Sequence, residues 1–513
     1  MQKNISRKIS NFQQQKNIVR KEQTHCIAHH FLLYCEEFFL QYFPKEFAMS
    51  SLSRRSFLKK SSALALGATL IPASALGLGG NVAASERIAM GLIGCGDHGG
   101  GWNLDLMIAN PMQQVVSVCD VDEGRMLNAQ RKAQVAYTER MGATYKGCTA
   151  HGDFRDLVNR KDVDAVCIVT PDHWHVLLSV FAMKAGKDVI CEKPTLTIEE
   201  GQILADVQKN TQRVYQMASE NRSIDRYQYM VNAARNGHLG EVRNIKVLLP
   251  PGNTATRSVS VSGEVTEWDP TDPPPGLNYD LWLGPAPVKP YIRARTHYNW
   301  RWNFDYSGGV LTDWGSHLIN MAQWAYNSDD TGPVEVQGTG NFPAFDEVWN
   351  TTPTFKIDCR YANGATMEIW SEVPAIKLEG TEGWLLMRGW RGPITASDEK
   401  LLTLQFEGDK NLGRPESTVA ASGGTGGEHI DFSRCVKSRE LCYYTAESGR
   451  RSDTIAHIAN ISMLLGGAKL NWNPQTEKFE GNHADEANNH FCTTRPQREP
   501  WTFANVDSWI NVG

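Results

Sequence analysis

Several features that would point to particular partners are scarce in this 513-residue chain. Its formal charge is only −5 and charged residues make up 21%, so no strong field of one sign exists to attract nucleic acid or an anionic membrane. Long apolar runs are few. The patches 31–34 and 38–43 are split by Glu36 and Glu37, which excludes a membrane span there. Eleven cysteines fall without metal-ligand spacing, and setting aside Cys26 and Cys35 leaves an odd nine. That pattern predicts neither a disulfide framework nor a metal site. Cys95, Cys119, Cys167 and Cys191 lie in or beside apolar runs and read as buried free thiols. Internal repeats and low-complexity tracts are also missing. What is present is a 41% hydrophobic composition over a length sufficient for two or three cores, as expected of a globular protein.

The first 84 residues read as targeting sequence. Ser53-Arg54-Arg55-Ser56-Phe57-Leu58-Lys59 resembles a twin-arginine export signal. A Gly/Ala-rich apolar segment follows from Ser61 to Leu70, then Pro72 and small residues. Cleavage after Ala73-Ser74-Ala75 or Val82-Ala83-Ala84 fits the small-residue rule. Pro72 and the glycines make 61–80 a poor spanning helix. Met49 stands where such a signal would begin, so residues 1–48 read as an upstream extension and 49–84 as the signal. The expected destination is the periplasm or beyond, with the twin-arginine machinery as a partner.

The chemistry begins at Ile88-Ala-Met-Gly-Leu-Ile-Gly-Cys-Gly-Asp-His-Gly99, where an apolar run enters the spacing Gly94-x-Gly96-x-x-Gly99. A strand followed by such a turn and a helix N-terminus offers backbone amides to a pyrophosphate. A second apolar run, Val115–Cys119, ends in Asp120, 21 positions after Gly99. That is where a dinucleotide fold needs a carboxylate for the adenosine ribose. Asp120 would repel a 2′-phosphate, so the pattern favours NAD over NADP. Gly94, Gly96, Asp97, His98, Gly99 and Asp120 are therefore candidate cofactor residues.

Strands and helices alternate from residue 85 to 217, as in a doubly wound parallel sheet. Val163–Thr170 is a near-continuous apolar strand leading to Pro171-Asp-His-Trp-His175 at the carboxyl edge, where ligands bind. Thr170, Pro171 and His175 join the cofactor candidates. A helix is expected over 176–185 and a strand over Asp188–Cys191, which ends in Glu192-Lys193-Pro194. A strand over Val214–Met217 closes the domain, with Ser219-Glu-Asn-Arg222 beyond it. Val242–Leu249, Phe355–Tyr361, Ala365–Val373 and Trp384–Arg388 read as antiparallel strands, separated by a long irregular stretch at 250–300. Ser452 and Asp453 are placed to cap a helix ending at Gly466-Gly467.

Three separated motifs carry a family resemblance: the glycine turn, Cys191-Glu-Lys-Pro194, and Ser307-Gly-Gly-Val-Leu-Thr-Asp-Trp-Gly-Ser-His317. Together they resemble the Gfo/Idh/MocA oxidoreductases. The tail segments Leu470–Pro474, Asp485–Asn488 and Arg498–Trp501 resemble the secreted branch of that family. The resemblance implies an α/β protein. An NAD-binding Rossmann domain (85–217) would precede a C-terminal α/β domain (218–513), whose large, open, mostly antiparallel sheet often supports homo-oligomers. It also implies hydride transfer between a nicotinamide and a sugar or polyol, with Lys193 as the cation beside the reacting centre. Asp313 and His317, four apart, would share a helix face, with His317 as general base and Asp313 orienting it or binding a hydroxyl. Glu192 would support the structure or the cofactor. His173, Trp174, Glu220, Asn221, Arg222, Arg301 and Trp302 are candidate substrate contacts, with core packing the alternative for the aromatics. Some relatives use the same cofactor cyclically to cleave glycosides, which is the alternative activity; retention of Lys193 favours the dehydrogenase.

Overall fold

The computed structural model describes residues 82–511 apart from 143, 253–266 and 422–425. The twin-arginine-like segment and the apolar stretch behind it lie outside the described residues. Among the described residues, no helix is long and apolar enough to cross a membrane.

Six strands form the first sheet: β1 (Ile88–Ile93), β2 (Gln113–Cys119), β3 (Thr149–His151), β4 (Ala165–Ile168), β5 (Asp188–Glu192) and β6 (Tyr215–Ala218). Their order is β3-β2-β1-β4-β5-β6 and every pairing is parallel. Each residue of β4 is buried, because helices cover both faces of the sheet. The connecting helices are α1 (Leu104–Ala109), α2 (Glu123–Met141), α3 (Phe154–Val158), α4 (Asp172–Lys184) and α5 (Ile198–Thr211). The order reverses direction at β1, between β2 and β4, and the carboxyl ends of these strands open the crevice in which such sheets bind ligands.

α6 (Asp225–Arg235) leads into β7 (Val242–Leu249), α7 (Tyr279–Leu283) and the catalytic-motif helix α8 (Val310–Ala325). Strands β8 (Glu335–Gly340), β9 (Phe355–Arg360), β10 (Thr366–Ser371), β11 (Ala375–Gly380), β12 (Trp384–Arg388) and β13 (Ile394–Ala396) follow. After α9 (Gly427–Ser438) and α10 (Ala446–Leu464), β14 (Leu470–Asn473) and β15 (Lys478–Glu480) complete a nine-stranded sheet, ordered β13-β12-β11-β7-β10-β9-β8-β14-β15. β7 and β10 run parallel and the other pairs antiparallel, so the sheet is mixed. β9 alternates buried and exposed residues strictly, as a strand with one covered face does.

Two helix starts differ from the sequence expectation. α4 begins at Asp172, four residues early, because Pro171 in extended conformation ends the strand and frees the next residues to coil. α10 begins at Ala446: Thr445 and Ser448 form a reciprocal capping box there, which outcompetes Ser452 and Asp453. Asp453 instead sits two turns inside the helix, fully buried. Its Oδ2 accepts from the Thr195 amide at 2.8 Å, and its Oδ1 accepts from the Ser316 hydroxyl. One side chain thus braces the segment after β5 against α8. Asp453→Ala strands both donors in the interior and is expected to cost about 1–3 kcal/mol, read as a lower denaturant midpoint. An unchanged midpoint would remove Asp453 from this role.

Candidate active site

β1 ends in a turn whose geometry demands glycine. Gly94 has φ +94°, and a Cβ there would lie 2.4 Å from the Val169 carbonyl oxygen. A Cβ on Gly99 would lie 1.9 Å from the Gly94 oxygen. The helical turns from Asp97 that run into α1 can therefore pack directly on the strand end. Gly96 precedes them with open space, apart from the Arg125 guanidinium 3.2 Å from a hypothetical Cβ.

Asp120, at the end of β2, accepts from the Cys95 amide at 2.6 Å and the Asp122 amide at 2.8 Å. Burial pushes its carboxyl above the ordinary value, while those two amides and Arg125 pull it back. Gly94, Gly96, Asp97, His98, Gly99, Asp120, Thr170, Pro171 and His175 all line one cavity of about 730 Å³. The Thr170 hydroxyl is buried in this wall and has no hydrogen-bond partner among the described residues. The residues fit NAD.

The same cavity reaches Glu192, Lys193, Glu220, Arg301, Asp313 and His317. Lys193 extends from the end of β5 and donates to Asp313 Oδ1 at 2.6 Å and to the Asp313 carbonyl at 3.0 Å. Both side chains are nearly buried, at 10% and 9% exposure. Burial alone would lower the lysine, but the Asp313 and Glu192 carboxylates outweigh it and hold the ammonium above its usual value. Arg301 Nε approaches the same Asp313 oxygen at 3.4 Å, its guanidinium lying over the Trp300 and Tyr298 rings. Glu192 accepts from His98 (2.8 Å) and Asn103 (3.1 Å). Burial works against ionisation of Glu192, yet the His98 contact dominates and holds it well below the usual carboxylate range.

His317 lies one turn after Asp313 on α8. Its Nδ1 meets the Ser219 hydroxyl at 3.1 Å and its backbone carbonyl accepts from Asn221 Nδ2 at 3.1 Å. That leaves Nε2 as the ring nitrogen available to the cavity. Burial, reinforced by Lys193, lowers the imidazole to about 4, so it is neutral at physiological pH. Its ring packs edge-on against Trp390, 4.7 Å away between centroids.

Other candidates sit elsewhere. His173 is buried against Trp282 and Tyr306, its Nε2 donating to the Trp282 carbonyl at 2.9 Å, and it is not among the residues that line the cavity. Trp302 is wholly buried in the core of the second sheet. Asn221 acts on the backbone of His317 rather than facing the cavity. Arg222 turns away to Asp329 and Asn320. Trp174 does line the cavity, but its ring is packed among Phe154 and Trp501 and its Nε1 donates to the Leu281 and Trp282 carbonyls. Sequence reasoning missed Trp390, His297 and the Glu220–Arg391 contact at 3.1 Å. Trp390 and Arg391 arrive from the turn after β12, and no local motif marks them.

Comparison with known proteins bears on the fold and the family. The family model described as the oxidoreductase family, NAD-binding Rossmann fold, matches residues 88–219. Its companion, the oxidoreductase family C-terminal alpha/beta domain, matches residues 260–503. The chain is 34% identical over 210 residues to glycosyl hydrolase family 109 protein 2 of Shewanella sp. (strain ANA-3), covering 38% of this chain and 45% of the relative. A glycosyl hydrolase family 109 protein of Solibacter usitatus is 32% identical over 203 residues, with the same shares. These matches thus span less than half the length of the curated relatives. Among solved structures, the aldose-aldose oxidoreductase from Caulobacter crescentus, complexed with glycerol, superposes with TM-score 0.52 at 15% identity, over 75% of this chain and 99% of that one. The WlbA dehydrogenase from Bordetella pertussis, in complex with NADH and UDP-GlcNAcA, gives 0.51 at 15% identity, over 75% and 99%. At such identities the likeness is one of fold. With both domain models matched in order over most of its length, the chain belongs to the Gfo/Idh/MocA family of NAD-binding oxidoreductases.

Proposed function

We propose that this protein transfers hydride between a hydroxyl-bearing carbon of a sugar, polyol or glycoside and a tightly held NAD. The observation that carries the reading is the convergence of Lys193, Asp313, Arg301 and His317 on the cavity that also contains the glycine turn and Asp120. NAD, when bound, supplies the two-electron acceptor. His317, neutral at working pH, takes the hydroxyl proton at Nε2. Ser219 at Nδ1 holds the ring in place. Lys193 has three donors and spends two on Asp313, so one remains to stabilise the developing alkoxide. Asp313 positions that ammonium and Arg301 steadies the carboxylate. Trp314 and Trp390 offer apolar faces beside His317, as a sugar ring requires.

A second reading is favoured by the glycosyl hydrolase family 109 relatives. In it the sugar is oxidised, the glycosidic group is eliminated, water adds and the hydride returns, with no net redox change. We also propose export by the twin-arginine machinery, a homo-oligomeric state, and a captive nucleotide suited to a compartment poor in free NAD. Absorbance at the reduced-nicotinamide band, followed while sugars and glycosides are added with and without external NAD, separates the readings. Continuous growth with external NAD supports the dehydrogenase. A single stoichiometric rise that decays as glycoside is cleaved supports the cycle, and no response to any sugar overturns both.

Lys193→Ala and His317→Ala should each lower turnover by about 10²–10⁴-fold while the protein still folds and retains nucleotide. Near-normal turnover in both would overturn the site assignment. The base must be unprotonated, so the acid limb of kcat/KM should fall only as pH drops through about 4. A limb near 6.5 would show that burial and Lys193 do not depress the base, and a limb that persists unchanged in the residual activity of His317→Ala would show that His317 is not the base. Asp120→Ala should weaken NAD and narrow its advantage over NADP, measured by fluorescence titration. Unchanged cofactor preference would show that another residue does the selecting.

A further inference from the structure

Away from the active site, where α9 ends, two cysteines meet in a charged pocket. Cys435 on α9 and Cys442 in the segment after it lie with Asp431 so that their ligand atoms are all within 4.8 Å of one another. Cys435 Sγ accepts from Arg414 Nη1 at 3.4 Å and from Arg434 Nη2 at 3.2 Å; when protonated it donates to the Leu441 carbonyl at 3.4 Å. Arg414 also holds Asp431 at 2.6 Å, and Asp431 Oδ2 accepts from the Tyr443 amide at 2.8 Å. Two guanidiniums already neutralise the acidic and sulfur ligands, which disfavours a metal cation and favours a thiolate.

We infer that Cys435 and Cys442 form a redox-active dithiol that small peroxides convert to an intramolecular disulfide. Cys435 is the nucleophile. Among the nine described cysteines it alone is held below its ordinary value, first by the hydrogen bond from the Cys442 thiol and then by Arg434 and Arg414, against burial and Asp431. Burial pushes the other eight upward, including Cys442. The pairing of an activated thiol with a neighbouring protonated one is that of an attacking and a resolving cysteine.

The Cys435 thiolate attacks one peroxide oxygen, the O–O bond breaks, and hydroxide leaves to be protonated to water. Sulfur is oxidised to the sulfenic acid as peroxide is reduced. Cys442 then loses its proton and displaces the sulfenic oxygen as a second water, forming the S–S bond. Both cysteines are buried, and the arginines that contact Cys435 Sγ are themselves partly exposed, so the oxidant is a small molecule rather than a protein thiol oxidoreductase.

The bond would staple α9 to a segment that the rest of the fold uses. The Tyr443 carbonyl accepts from Arg222 at 2.9 Å, the Tyr444 carbonyl accepts from the Met217 amide at 2.9 Å, and the Tyr444 hydroxyl donates to the Ser316 carbonyl on α8 at 3.4 Å.

The test is intact and peptide mass spectrometry of the purified protein after hydrogen peroxide, followed by alkylation in denaturant. The expected product has lost two hydrogens, carries a Cys435–Cys442 cross-linked peptide, and regains both alkylation sites after reduction. Cys442→Ser should stop at a sulfenic acid on Cys435, trapped by a cyclic dione. Arg434→Gln should slow oxidation several-fold with the fold intact by circular dichroism. Full alkylation of both cysteines after peroxide overturns the proposal. So does cross-linking of a different pair, or a stoichiometric metal ion in the native mass that protects both thiols.

Discussion

The Lys193–Asp313 ion pair is the contact around which the two halves of this molecule are arranged. One partner leaves the carboxyl edge of the parallel sheet and the other rides the first turn of α8. Both are nearly buried, where a desolvated charge costs several kcal/mol unless its attraction is well aimed. The aiming is visible. Lys193 makes two bonds to one residue, Arg301 shares the carboxylate, and Asp453 ties Thr195, two residues from the lysine, to Ser316, three from the aspartate. Loss of the lysine alone would still leave Arg301 facing the Asp313 carboxylate, so that charge keeps a partner. The placement of the proposed catalytic pair and the packing of the two sheets are therefore one constraint.

Around that pair, burial and charge sort the histidines into different states. His317 falls to about 4 through burial and Lys193, which keeps the imidazole neutral at physiological pH. His175 falls to about 4 as well, but its two ring nitrogens face the Pro194 and Thr170 carbonyls, so it holds backbone and is not free to shuttle protons. His98 goes the other way: burial opposes its charge, yet Glu192 prevails and raises it. The two imidazoles are thus driven in opposite directions within one cavity, His98 by the Glu192 carboxylate and His317 by burial and the Lys193 ammonium.

Much of this was legible in the chain. Gly94, Gly96, Gly99 and Asp120 are close in sequence, and their spacing is itself the geometry of a strand, turn and strand. The buried strands announced themselves as apolar runs, and β7 and β12 fall where their patterns end. What could not be read was direction. His173 and Trp174 are adjacent, yet one faces an aromatic core and the other the cavity, because α4 starts at Asp172 rather than later. Trp300 and Trp302 divide in the same way, one at the cavity and one in the core. Trp390 belongs to the site only because the turn after β12 brings it to Trp314 and His317 on α8, and the same turn carries Arg391 to Glu220, a fact of topology rather than motif.

Asp120 shows why cofactor choice and fold are hard to separate here. Its two carboxylate oxygens accept from the Cys95 and Asp122 amides, so the side chain closes the glycine turn and also orders the approach to α2. Those bonds use one lone pair on each oxygen and fix the direction of the others. A ribose presented to the cavity meets acceptors whose orientation the backbone has already set, without an entropy cost at binding. A 2′-phosphate would meet the same fixed negative edge. The discrimination expected of Asp120 therefore comes from a carboxylate immobilised by the turn that it stabilises, and any substitution there acts on both at once.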